Sequence, residues 1–455
     1  MLSRTETLEG KTKDLFRTPL REIINMNHPL VILSHNVDWD GLEEELSGLY
    51  ELENGRPGKP IRLMVSLQYL KYTYSLSDEE IVARWLENPY WQYFSGMQYF
   101  ETELPIHPTS MIKFRKRLKD RDLEKLLQAT IESGLKLKVI KRSDMKRVNV
   151  DTTVMEKNIS FPTDGKLYYR AIEKLVKLSK RYGIKLRQSY LHVGKKALVM
   201  SQRYAHSRKM KKAKKELKKL RTYLGRLYRD IKRKLSNASS IVQEAFRELL
   251  NLVERLLNQK KNDKNKLYSL HEPDVYCIAK GKSHKKYEFG TKVSLVTTSR
   301  KGFVVGALNL RNNPYDGHTL KEAIEQMERI TEITPEAIFV DKGYRGHNYQ
   351  GSAKVYLPGQ YKKKGAPPRR WFKRRSSIEA KISHTKHKNR LSKNYLKGQE
   401  GDDTNAILAA CGQNLRLILR SISFWLKIIL GILFKIFDEF IRSNKQPEKI
   451  VVQAA

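Results

Sequence analysis

KRVNVDTTVME, residues 146–156, decides the fold. The stretch alternates and is rich in β-branched residues, so it reads as a strand. It follows a long helical pattern and carries Asp151 near its end. A strand arriving this late predicts a helical N-terminal region and then a mixed α/β domain.

Upstream, residues 1–145 read as all-α. Arg62–Tyr74 (RLMVSLQYLKYTY) places apolar residues on one helical face. Ser77 and Glu80 have the spacing of a capping box at the head of Asp78–Glu87, which should stop near Pro89. A third helix begins after Pro108, at Thr109 or Ser110, and carries KFRKRLKDR. Short helices, tight turns and a basic third helix suit a helix-turn-helix-like DNA-binding unit; an ordinary helical bundle is the alternative.

Downstream, residues 166–267 are helical again, with 31 Lys or Arg against 7 Asp or Glu. Met210, Ala213, Leu217, Leu220, Leu224, Leu227 and Ile231 recur at intervals of three and four, the seam of a helical hairpin or coiled-coil-like arm. RKMKKAKKELKK, residues 208–219, covers its outer face. A charge run is usually a solvated face, but one this lopsided repels itself when free. Lys211, Lys212, Lys214, Lys215, Lys218 and Lys219 are therefore expected to meet phosphates. The β signal returns in Tyr287–Thr298 and Gly302–Leu310, joined by a turn at Ser299-Arg-Lys-Gly. Asp316-Gly-His-Thr then opens a helix over Leu320–Thr331. EAIFV, residues 336–340, is a short apolar strand that ends in Asp341. A loop, YKKKGAPPRR, precedes one more helix, which carries Glu379. No internal repeat is visible.

The 455 residues carry 89 basic and 49 acidic side chains, a formal charge of +40. That excess implies a polyanionic partner, most often nucleic acid. Cys277 and Cys411 are too few and too far apart for a disulfide framework or a zinc cluster, which fits a reducing cytoplasm. MLSRTETLEGKTKDLF lacks the apolar core of a secretory signal. Ile422–Phe437 (ISFWLKIILGILFKIF) is short for a membrane span and contains Lys427 and Lys435. A buried or oligomerising amphipathic helix is expected there, with no membrane partner; a membrane-associated segment is the alternative.

Asp151 and Asp341 both stand at strand ends, where open α/β sheets bind ligands. Single aspartates after strands are commonly caps or turn residues. Three converging carboxylates, with Glu379 from the neighbouring helix, would instead repel one another until a divalent cation joined them. Oxygen-only ligands suit Mg²⁺ or Mn²⁺. Glu379 lies within RRSSIEAKISHTKHKNR, residues 374–390, as the one acid in a cationic run. On a helix, Arg375 and Lys386 share its face. The acid is expected to hold metal and its neighbours the phosphates of the metal's substrate.

Taken in order, these segments resemble bacterial insertion-sequence transposases of the DDE type, in the insertion-sequence-five family. Phe372, Arg375, Glu379 and Lys386 follow that group's Y-x2-R-x3-E-x6-K signature, with Phe in place of the usual Tyr. NVDTT (149–153) matches the first-aspartate strand and FVDKGYRG (339–346) the second-aspartate motif. FPTDGKLYY (161–169), HPTSMIKFRKRL (107–118) and AACGQNLRLIL (409–419) are similar to family segments too. The resemblance implies an RNase H-like mixed sheet interrupted by a helical insertion after its first strand. The implied layout is an N-terminal DNA-binding domain (1–145), the first part of the core (146–165), a basic helical arm (166–270), the rest of the core (271–420), and an apolar helix and tail (421–455). It also implies binding of double-stranded DNA, as terminal inverted repeats and target, by a homodimer or higher homo-oligomer. Cleavage and strand transfer would use two ions of Mg²⁺ or Mn²⁺ in a nucleoid-associated, cytoplasmic bacterial enzyme. Asp151, Asp341 and Glu379 would be the catalytic metal ligands, and Arg375 and Lys386 would orient DNA. Lys342, Tyr344 and Arg345 are further DNA-contact candidates. Asp316 and His318 are candidates for supporting the site, against a simple helix cap. A non-catalytic DNA-binding derivative, an RNA-binding basic protein and a plain nuclease of the same fold remain alternatives.

Overall fold

A computed structural model describes residues 16–50, 58–260, 262–264, 266–279, 285–362 and 364–443, with the side chains of 430, 431 and 434–443 left aside. The expectations for the first 15 residues and for the tail after 443 lie outside the described residues.

The N-terminal helices are α1 (Leu20–Ile23), α2 (Pro29–Asn36), α3 (Trp39–Leu46), α4 (Ile61–Tyr74), α5 (Asp78–Glu87), α6 (Pro89–Phe94), α7 (Pro108–Arg117) and α8 (Asp120–Lys136). The sequence predicts one apolar face on α4. Instead, 13 of its 14 residues are buried, because α3, α5, α7 and the last helix of the chain all pack on it. Its polar residues are paired accordingly. Arg62 donates to Ser34 Oγ at 3.0 Å and to the carbonyls of Tyr93 and Phe94. Lys71 and Arg115 both bind Asp78, at 2.8 and 2.6 Å. The capping box of Ser77 and Glu80 is formed. Helix α7 starts at Pro108, slightly earlier than expected, since the His107 side chain accepts from the Thr109 amide. Arg115 of that basic helix is turned into the core; Lys113, Lys116 and Arg117 stay on the surface.

The strands are β1 (Arg147–Lys157), β2 (Tyr276–Ala279), β3 (Tyr287–Thr298), β4 (Val304–Leu310), β5 (Ala337–Phe339), β6 (Lys354–Tyr356) and β7 (Lys393–Asn394). They form one mixed sheet with the order β2-β3-β1-β5-β6. β4 joins the far edge of β3, and β7 joins β1. β1 and β3 are antiparallel, while β5 and β6 run parallel to β1. This is the RNase H-like mixed sheet. β2, β6 and β7, at two to four residues each, are too short to show in the sequence pattern.

One edge of β1 is discontinuous. Residues 147–149 pair with β5 and residues 156–157 with β7, so 150–155 have no strand beside them on that edge among the described residues. Asp151 lies in this gap.

Between β1 and β2 stand α9 (Asp164–Arg181), α10 (Leu191–His206), α11 (Met210–Leu235) and α12 (Ser240–Asn258). They enclose their own core around Ile172, Leu175, Leu220, Leu224, Ile231 and Phe246. The seam read along α11 is thus one wall of a four-helix body, not of a two-helix arm. Met210, expected in the seam, is 54% exposed because it opens the helix. α13 (Leu320–Thr331) lies between β4 and β5, α14 (Arg369–Arg375) and α15 (Ser377–Lys388) between β6 and β7, and α16 (Gly398–Ser443) after β7.

Helix α16 joins the halves. Asn414 donates to Val304 O on β4 and to Thr130 Oγ1 on α8, and accepts from the Val304 amide. At Gly412 a Cβ would lie 2.6 Å from the Tyr72 carbonyl group, so only glycine lets α16 approach α4 this closely. A single hydrophobic core consequently runs from Leu30 through the sheet to Ile422. Among the described residues, no helix is long and apolar enough to cross a membrane.

Candidate active site

Parallel pairing of β1 with β5 ends at Asn149 and Phe339. Asp151 and Asp341 each stand two residues further on, so they hold matching positions where the strands part. Alternation along a strand also puts Asp151 on the Asn149 side of the sheet. Each aspartate accepts from the next backbone amide, Thr152 at 2.8 Å and Lys342 at 2.6 Å. The second bond caps a short 3-10 turn, Lys342–Tyr344.

Asn149 ties this strand to the third carboxylate. It is fully buried, accepts from Ser299 Oγ at 2.7 Å and donates to the Arg374 carbonyl at 3.2 Å. That anchors the junction of α14 and α15. Arg375, at the end of α14, then reaches both acids: 3.9 Å to Asp341 and 3.3 Å to Glu379 in the first turn of α15. The guanidinium is 15% exposed, whereas the Asp341 and Glu379 side chains are 50% and 66% exposed. A mostly sequestered cation therefore draws two open carboxylates together. Lys386 is half-buried two turns further along α15.

Phe372 occupies an aromatic nest, with ring centroids 5.4 to 5.9 Å from Phe339, Tyr356 and Tyr361. A phenyl ring suits edge-to-face packing there. On the same helix, Trp371 carries Arg147 and Arg374 over its ring at 5.1 and 4.8 Å.

A second network backs β1. Asp316 Oδ1 accepts from Thr152 Oγ1 and from Lys292 Nζ, both at 2.9 Å. Tyr344 is 1% exposed. Burial, then the negative charges of Asp151 and Asp316, push its phenol far above the ordinary range. The expectation that Tyr344 contacts DNA is thus corrected: its ring fills the core beneath the site, because the turn capped by Asp341 points it inward. Lys342 and Arg345 on either side are exposed. His318 is exposed and packs edge-on to Tyr315 at 5.4 Å, apart from Asp316's network. Lys211, Lys212, Lys214, Lys215, Lys218 and Lys219 all lie exposed on α11, in the four-helix body and not at the carboxylates. Lys219 pairs with Glu216 at 2.7 Å.

Sequence reasoning missed Asn149, Lys292 and Thr152. Each is a polar residue inside a strand pattern, which is the available signal, but their partners are distant in sequence.

The donor set fits a hard divalent ion, being oxygens only and accessible. The expectation of two strand-end aspartates is corrected for Asp151, which lies midway along β1 because β3 keeps pairing with it as far as Glu156, while Asp341 stands just past β5. In this conformation no three His, Cys, Asp or Glu side chains among the described residues stand close enough to hold one. Glu379 is turned onto Arg375 instead.

Residues 18–117 match the family model of a transposase domain, DUF772, and residues 266–415 match that of a transposase DDE domain. The second span contains Asp341 and Glu379; neither contains β1 or the four-helix body. The chain is also 47% identical over 195 residues to an uncharacterized protein, ORF8 in the nfe locus, of Rhizobium meliloti, covering 43% of this chain and 94% of that one. No solved structure matches. The chain therefore belongs to the family of that Rhizobium protein and carries a DUF772 transposase domain followed by a transposase DDE domain.

Proposed function

We propose that this protein is a DNA transposase of the insertion-sequence-five family that binds the terminal inverted repeats of its element, cuts there and joins the ends to target DNA. The observation that carries this reading is the matched register of Asp151 and Asp341, with Arg375 linking Asp341 to Glu379. These three carboxylates are the ligands for Mg²⁺ or Mn²⁺. Bound there, the ions supply Lewis-acid activation of the attacking water or 3′-hydroxyl and offset charge on the leaving oxygen. Arg375 and Lys386 bind phosphates beside the scissile bond, and Lys342 and Arg345 flank it. The arm lysines hold DNA further along. The active species is a homo-oligomer on paired DNA ends, acting in the bacterial cytoplasm.

A non-cutting DNA-binding derivative is favoured by one observation, the engagement of Glu379 with Arg375. Cleavage of the DNA flanking the gene, with purified protein and Mg²⁺ or Mn²⁺, separates the two. Metal-dependent cuts at the element's ends should be lost in Asp151→Asn and Glu379→Gln while end binding persists. Binding without cuts by wild type and variants alike would refute the catalytic reading.

A further inference from the structure

Helix α15 has two cationic sides. Glu379 and Lys386 lie on one. Lys381, His384 and Lys388 recur at three and four residues on another; Lys381 is displaced from Glu379 by about 200° around the axis. This second side faces α16. The Arg416 guanidinium donates to the Lys388 carbonyl at 3.1 Å and also to the Thr73 carbonyl at the end of α4. Burial, and then Lys388, Lys381, Arg420 and Arg416 in turn, push the His384 pKa down, as expected where cations crowd together. Among the described residues, Lys381, Lys388, Arg420 and Lys427 form no ion pair.

Between α4 and α16 lies a cleft of about 430 Å³, lined by Tyr74, Arg416, Arg420, Phe424 and Lys427 among others. No acid lines it. Its two rings are open to solvent, Tyr74 at 40% and Phe424 at 61% exposure. Tyr74 is backed by Trp91, with ring centroids 5.1 Å apart, so its ring has a firm support.

We propose that this cleft binds single-stranded DNA, with Arg420 and Lys427 on phosphates and Tyr74 and Phe424 stacking on bases. Unpaired cations with exposed rings between them form the recognition chemistry of single-stranded nucleic acid. A duplex keeps its base faces stacked and would leave both rings idle. The site is separate from the carboxylates, since none of Asp151, Asp341 and Glu379 lines it. It rests on the transposase reading only for the origin of the strand, which would be DNA freed beside the cut.

The test uses the full chain and fluorescence anisotropy, with an oligothymidine of about 15 nucleotides and a random-sequence duplex of equal length. Tyr74→Leu with Phe424→Leu should weaken oligothymidine binding at least about 30-fold and leave duplex binding unchanged. Tyr74→Phe should bind as wild type does. Arg420→Gln with Lys427→Gln should flatten the slope of log affinity against log salt by about 1.4. Circular dichroism checks that each variant is folded. Unchanged oligothymidine binding by the folded variants overturns the proposal. Equal loss of duplex binding overturns it in favour of a duplex track. Loss of self-association in sedimentation, with oligothymidine binding intact, overturns it in favour of an interface between copies. If wild type fails to cut DNA but binds oligothymidine through these residues, the transposase reading falls and this one stands. If it cuts normally and the variants bind as wild type does, the reverse holds.

Discussion

Removing the Arg375 cation should make the resting site a better metal binder. Arg375→Gln keeps a polar side chain of moderate length but takes away the positive charge lying 3.9 Å from Asp341 and 3.3 Å from Glu379. Two unit charges at 4 Å interact by about 1 kcal/mol in water and about 4 kcal/mol in a partly buried setting. Both carboxylates are half exposed or more, so the lower figure applies, and exposed pairs often contribute less. Two such pairs oppose entry of a divalent cation by about 1–2 kcal/mol, equivalent to roughly 5- to 30-fold in affinity. The assay is titration of DNA-free protein with Mn²⁺, following free Mn²⁺ by electron paramagnetic resonance. Arg375→Gln should bind Mn²⁺ more tightly than wild type by that factor, and adding Glu379→Gln should reverse the gain. Thermal stability should change little. Equal or weaker Mn²⁺ binding by the folded variant would show that Arg375 is not the resting counter-ion of these acids.

Further expectations concern the fold and the arm. Asp78→Asn leaves Lys71 and Arg115 buried without their carboxylate, which should cost about 3–5 kcal/mol in denaturant unfolding. Burial pushes the Asp78 carboxyl up, but hydrogen bonds from Arg115 and the charges of Lys71 and Arg115 outweigh it, so the folded pKa lies below the ordinary 3.8. Its contribution to stability is thus present above pH 3.8 and is lost as pH falls through the lower folded value; acid melts of wild type and Asp78→Asn should converge there. Gly412→Ala presses a Cβ against the Tyr72 carbonyl and should destabilise by roughly 1–3 kcal/mol, read from chemical denaturation. Reversing the lysines between 208 and 219 should weaken DNA binding and flatten its salt dependence, measured by titration at several salt concentrations. No change in either would make that face a purely structural surface.

Local chemistry was legible where one element carries it. The β-branched run around Asp151, the capping box at Ser77 and Glu80, and the spacing of Arg375 and Glu379 all survive in three dimensions. What escaped depends on elements distant in the chain. Helix α4 reads as amphipathic, but α16, more than 300 residues later, covers its other side. Arg115 looks like a DNA-facing cation until Asp78 and Lys71 are seen beside it. Tyr344 adjoins two exposed cations, yet the turn capped by Asp341 sends it inward. Asn149 and Lys292 hold the site through partners on α14 and at residue 316, and no short-range pattern announces such bonds.

The bridge made by α16 also sets an order of events during synthesis. Helix α4 cannot complete its burial until residues 405–422 have left the ribosome, because Tyr72 bonds to Asn405 and packs against Gly412. At about 5–20 residues per second, the first helices wait roughly 15–70 seconds for that partner. The four-helix body needs no such partner and encloses its core within residues 167–270. The nascent chain therefore acquires a folded middle before a folded beginning, and its N-terminal helices stay incompletely buried in that interval.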